Sequence, residues 1–189
     1  MHRFFKMAAL LLLVPTLYGC GGSGGNWQLE SQSFTNDSYL FPSGGTAVIS
    51  FSAAGTTNLP VPISAIDMTV TLPQGINVTT VSGTSGQLDT TTVVPGSALG
   101  GTNLAYGSYT DATRTLQLSM ATTSGSYRSG EFLRLYVKVP AGVNVTLGDL
   151  RASNSKGVLV KAIGYDPVTQ NTVTLTGNVA VTINAVQLQ

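Results

Sequence analysis

Charge and reactive side chains are what this 189-residue sequence has least of. Only 9% of its residues are Asp, Glu, Lys or Arg, nine of them basic and eight acidic. A nucleic-acid binder needs a clustered basic surface, and this balance excludes one. The single histidine, His2, and the single cysteine, Cys20, both fall in the first twenty residues. The remainder therefore cannot build a Ser-His-Asp or Cys-His catalytic arrangement, and most transition-metal sites are excluded with it. No long Leu/Ala/Glu/Lys stretch follows the N-terminal segment, which argues against a helical domain. What is present is 42% apolar residues, 22 glycines and abundant Ser and Thr. That composition points to an all-β domain with a buried core.

Residues 1–19 read as a targeting segment. His2, Arg3 and Lys6 form a basic start, and Met7–Leu17 is an apolar stretch interrupted by Pro15. That stretch is well short of the ~20 residues a spanning helix needs. It ends in Leu17-Tyr18-Gly19-Cys20, which resembles the lipobox of bacterial lipoproteins. The resemblance implies a signal peptide over residues 1–19, cleaved before Cys20, and a diacylglycerol on the Cys20 thiol. Membrane contact is then made through that lipid, and two or three acyl chains suffice for stable anchoring. Gly21 in place of Asp implies outer-membrane sorting where the cell has an outer membrane, and otherwise the cell envelope. An ordinary secretory leader with a chance cysteine is the alternative. Residues 20–25 are the lipidated Cys20 and a Gly/Ser tether with a reach of only about 12 Å, so the domain at 26–189 is expected close to the membrane. With no second cysteine it has no internal disulfide and depends on its core.

From Asn26 the chain reads as short strands separated by Gly, Pro, Ser and Asn clusters. Ile66, Met68, Val70 and Leu72 share one face of Ile63–Leu72, with Asp67, Thr69 and Thr71 on the other, the period-two pattern of a half-buried strand. Ala47–Ala53, Arg114–Met120, Glu131–Val139 and Asn178–Val186 alternate in the same way. Weaker strands are expected at Trp27–Phe34, Asn103–Tyr109, Val158–Ile163 and Thr172–Thr176. Ser82–Gly101 reads as a long surface excursion with a weak strand at Leu88–Val94, and Leu147–Ala152 is the best place for a helical turn. About nine or ten strands at these spacings predict two antiparallel sheets packed face to face.

The order of strands is similar to that of cohesin domains. Thr46–Ser52 followed by Ile63–Leu72 resembles their opening strands, Ser129–Val139 their late Gly-introduced strand and Val179–Val186 their closing strand. The resemblance implies a cohesin-like jelly-roll sandwich of about nine strands, akin to carbohydrate-binding modules. It also implies a non-catalytic role: cohesins bind dockerin modules and so assemble polysaccharide-degrading enzymes. The acidic residue that meets the partner in that family falls at Asp67, with Thr69 on the same face.

Other candidates come from the residues themselves. With Leu133, Leu135, Val137 and Val139 facing inward, Phe132, Arg134, Tyr136 and Lys138 are expected to point outward as an aromatic-basic stripe. Such a stripe suits a protein partner or the face of a sugar ring; the bland reading is that a loop or the N-terminal segment covers its aromatics. Tyr106, Tyr109 and Tyr127 form a second candidate cluster, and Trp27 is expected to pack down the start of the domain. Among Glu30, Asp37, Asp67, Asp89, Asp111, Glu131, Asp149 and Asp166, most flank turn residues and read as turns or caps. Tyr165–Asn171 reads as an Asp-Pro hairpin turn and not as a calcium loop. No cofactor or metal is expected. The expected function is a lipid-anchored, non-catalytic binding module for a dockerin-like protein or a polysaccharide. A structural component of an envelope assembly is the rival, and a glycosidase using a carboxylate pair comes third.

Overall fold

A computed structural model describes residues 32–55 and 58–187. The expected leader, Cys20, the expected tether, Trp27 and Glu30 lie outside the described residues. The described residues form ten strands: β1 (Gln32–Phe34), β2 (Gly45–Gly55), β3 (Ile63–Thr71), β4 (Val93–Pro95), β5 (Asn103–Thr110), β6 (Thr115–Thr122), β7 (Gly130–Val139), β8 (Leu159–Asp166), β9 (Asn171–Thr174) and β10 (Val179–Gln187). They form two five-stranded sheets in the orders β1-β10-β2-β7-β4 and β5-β6-β3-β8-β9. Every pairing is antiparallel. The protein is thus an all-β, two-sheet antiparallel sandwich.

Alternation places the core. Ile66, Met68 and Val70 of β3 and Leu116, Leu118 and Met120 of β6 are buried, while Asp67, Thr69 and Thr71 between them stay half-exposed. Ile49 and Phe51 of β2 and Leu133, Leu135 and Val137 of β7 join the same buried cluster from the opposite sheet. The period-two pattern located most of these strands to within a few residues.

The excursion at 82–101 departs from the expectation. Its strand is later and shorter, at Val93–Pro95, while Leu88 buries its side chain and forms only an isolated bridge with Thr80. The cause lies in how the outer edge of β7 is shared. Lys138 exchanges backbone hydrogen bonds with Asn77, whereas the Tyr136 N–H donates to the Thr92 carbonyl. Two separate segments take that edge, so neither continues as a long strand.

Sheet edges are otherwise brief: β1 and β4 have three residues each and β9 has four, which limits pairing with other chains. Part of the β5 edge is covered, since Leu88 N–H donates to Gly107 O and Tyr109 N–H to Gly86 O.

Among the described residues one α-helix, α1 (Leu147–Ser153), forms where the sequence predicts a helical turn. Thr146 Oγ1 accepts from Asp149 N at 3.1 Å, and the Asp149 carboxylate accepts from Thr146 N at 2.8 Å. This reciprocal cap satisfies two otherwise open donors, and Leu147 and Leu150 seat the helix in the core. Arg151 then ties the helix to β10, donating to the Ile183 carbonyl from Nε at 3.0 Å and Nη2 at 2.7 Å.

Candidate functional site

The outer face of the β5-β6-β3-β8-β9 sheet carries Asp67 and Thr69, pointing away from the core as expected. Strand register then adds neighbours that are remote in the chain. Tyr106 stands opposite Ser119, Ser119 opposite Asp67, and Asp67 opposite Lys161. At the usual strand separation this row spans about 15 Å. Ser119 Oγ donates to Asp67 Oδ1 at 2.7 Å, which orients the carboxylate. Lys161 is exposed and forms no ion pair among the described residues.

The adjoining row runs Leu104, Ala121, Ala65, Ile163. Small side chains therefore occupy β6 and β3 in the middle, and larger ones stand on β5 and β8 at either side. Leu104 is 58% exposed and Tyr106 56%, and Tyr165, two residues beyond Ile163 on β8, is also exposed. Ser108, Gln117 and Thr69 form the next row. The result is a polar centre flanked by exposed apolar and aromatic groups, the composition that partner-binding surfaces favour.

The Phe132–Lys138 stripe does not stand as expected. Phe132 is fully buried, because β7 carries a bulge there: Phe51 faces Leu133 and Ser52 faces Glu131, leaving Phe132 as the extra residue. A bulge re-aims the side chain it inserts, and both Phe132 and Leu133 turn into the core. The same shift places Glu131 beside Arg134, whose Nε donates to Glu131 Oε1 at 2.8 Å. That oxygen also accepts from Ser97 N at 2.9 Å. Arg134 is therefore held in the framework of β7 and the β4 connection.

Tyr136 and Lys138 remain accessible, and with several threonines they line an open groove of about 690 Å³. They lie on the outer face of the first sheet, Asp67 and Thr69 on the outer face of the second. The two candidate sets are separate surfaces.

The tyrosine cluster also divides. Tyr127 is buried, donates from its hydroxyl to Gly130 O at 2.9 Å, and is pushed far above the usual phenol range by that burial. Tyr109 packs partly against the core, and burial raises its phenol too. Only Tyr106 belongs to an open face.

The other carboxylates work locally. Asp89 accepts from Thr91 Oγ1 at 2.6 Å and Thr91 N at 2.8 Å, and these bonds hold it below the usual carboxylate value. Asp166 accepts from Thr169 Oγ1 and Val168 N with the same effect, closing the expected Asp-Pro turn between β8 and β9. Among the described residues no three His, Cys, Asp or Glu side chains group so as to hold a metal. No family model, no curated protein and no solved structure matches this chain.

Sequence reasoning missed Leu104, Ser119, Lys161 and Tyr165. Alternation marks Ser119 as outward, but nothing local says that β6 lies between β5 and β3.

Proposed function

We propose that this chain is a lipid-anchored, non-catalytic binding module of the cell envelope. It docks a protein module, dockerin-like in kind, through the outer face of the β5-β6-β3-β8-β9 sheet. One observation carries this reading: register gathers Tyr106, Ser119, Asp67 and Lys161 into a single row beside exposed Leu104. An oriented carboxylate beside a protruding aromatic supplies both a directional polar contact and an apolar anchor, as interface hot spots do. The resemblance of 44–186 to cohesin domains supports the same face, since Asp67 is the position that resemblance selects.

Immobilised chain, exposed to envelope and secreted fractions beside a panel of insoluble polysaccharides, tests the reading. A retained and identified protein module is expected. The double variant Asp67→Ala/Tyr106→Ala is expected to weaken it by about 30-fold, the loss of one hot spot worth ~2 kcal/mol. Unchanged affinity places the partner elsewhere. Stable oligomers at low micromolar concentration, with nothing retained, favour the structural assembly role.

The anchor has its own test. Cys20→Ser is expected to abolish incorporation of radiolabelled palmitate. The diacylglycerol on Cys20 is the group that would carry the label, and two acyl chains bind a membrane stably. Undiminished label in the serine variant would remove Cys20 from the account.

A further inference from the structure

The groove on the first sheet has a chemistry unlike that of the Asp67 face. It opens where the outer edge of β7 changes partner, between the Lys138–Asn77 hydrogen bonds and the bond from Tyr136 N–H to Thr92 O. Residues 78–91 leave the sheet between these attachments, and Thr46, Thr90, Thr91, Thr92, Tyr136 and Lys138 line the space. Its volume of about 690 Å³ is that of an ordinary small-ligand site.

Apart from the Lys138 ammonium, its polar side chains are hydroxyls. Thr91 Oγ1 donates to Asp89 Oδ1 at 2.6 Å and Thr92 Oγ1 to Thr79 O at 3.1 Å. Thr92 is buried and its hydroxyl belongs to the wall, whereas the exposed Thr91 hydroxyl has spent its proton and keeps lone pairs that accept from a ligand hydroxyl. The hydroxyls of Thr46 and Thr90 have no partner among the described residues and can donate as well as accept. No carboxylate lines the groove, and the nearest in sequence, Asp89, is engaged by the amide and hydroxyl of Thr91. Lys138 is exposed and has no acidic partner among the described residues.

The rim is built before any ligand arrives. Thr92 N–H donates to Asp89 O at 2.9 Å, and Asp89 N–H to Thr79 O at 3.3 Å, joining both segments across the opening. A wall already held by hydrogen bonds loses little freedom on binding.

We propose that this groove binds a carboxylate-bearing glycan, a polyuronate, with Tyr136 against a sugar ring and Lys138 on a uronate. Threonine hydroxyls match a ligand rich in hydroxyls, a tyrosine ring covers the apolar C–H face of a sugar, and a lone ammonium selects an anionic residue over a neutral one. A nucleic acid demands more phosphate-binding cations than this groove holds. The site gives the chain a second ligand, independent of the partner at Asp67.

The test is equilibrium binding of the full chain, in detergent, to sodium polygalacturonate and to neutral galactan of similar length. Wild type is expected to prefer polygalacturonate by about tenfold at low salt, and less as salt screens the Lys138 charge. Lys138→Gln is expected to lose that preference and leave galactan binding unchanged. Tyr136→Ala is expected to weaken both, with its melting curve showing that it is folded, while Tyr136→Phe keeps the ring and binds both. Asp67→Ala is expected to match wild type on both polymers, which separates a failure here from a failure at the other face. Three results overturn the proposal: no binding of polygalacturonate by wild type, a preference that survives Lys138→Gln, or loss of glycan binding in Asp67→Ala.

Discussion

Phe132→Ala is expected to destabilise the domain by about 3–5 kcal/mol, the usual cost of emptying a fully buried aromatic site. Phe132 has no exposed surface and packs in the same cluster as Phe51, Leu133 and Leu135. Removing its ring leaves a cavity between sheets that are paired on both sides of β7, so the walls have little room to collapse. Domains of this size hold about 5–15 kcal/mol in total, so the loss removes a large part of the stability. The melting temperature is expected to fall by about 10 °C or more. Phe132→Leu keeps most of the volume and should cost about 1 kcal/mol, which keeps the comparison readable if the alanine variant does not accumulate. Lys138→Ala, exposed on the same strand, is expected to stay within about 0.5 kcal/mol of wild type. Urea midpoints of the three variants decide the matter. A cost for Phe132→Ala as small as that for Lys138→Ala would return Phe132 to the surface stripe.

Gly96→Ala is expected to cost about 2–3 kcal/mol, for a reason that belongs to the same bulge. Gly96 follows β4 and donates its N–H to the Phe132 carbonyl at 2.9 Å. A Cβ at Gly96 would lie 2.4 Å from Glu131 O, 2.5 Å from Glu131 C and 2.6 Å from Phe132 C. All three are backbone atoms, so no side-chain rotation relieves the overlap. The strands must move apart, and overpacking of this kind typically costs 1–3 kcal/mol. Gly125→Ala is the matched control, since its Cβ meets nothing within 4 Å; it is expected to change stability by less than about 0.5 kcal/mol. Displacing β4 also shifts Thr92 and Val94, so glycan affinity should fall in Gly96→Ala along with the denaturation midpoint. Equal midpoints for the two glycine variants would show that the β4–β7 junction yields without cost.

The two candidate surfaces were legible in the sequence to different degrees. Asp67 and Thr69 stand where alternation puts them, because β3 is regular through Ile66, Met68 and Val70. Phe132 does not, because counting outward from Leu133 by twos assumes an unbroken pleat. The extra residue in β7 is visible only once β2 is laid beside it. Arg134 had the right direction and the wrong freedom. The bulge brought Glu131 to it across three positions instead of two or four, a contact that strand periodicity does not anticipate. The four arginines of the described chain show the same trend. Arg114, Arg128 and Arg151 cap backbone carbonyls at Leu72, Leu59 and Ile183, and Arg134 pairs with Glu131. The cations left for a ligand are lysines.

The amino-acid order alone determined the fold class, the position of most strands, the short helix after Thr146 and the turn at Asp166. These depend on side-chain alternation and on capping and turn chemistry, all of which act over a few residues. Only the tertiary structure decided that Tyr106, Ser119, Asp67 and Lys161 share a row, that Tyr136 and Lys138 lie on the opposite face, and that a groove opens between Asn77 and Thr92. Those facts follow from which strands pair and in what register, and from one inserted residue that reverses the parity of β7. Pairings of that kind join segments tens of residues apart, beyond the reach of any local pattern.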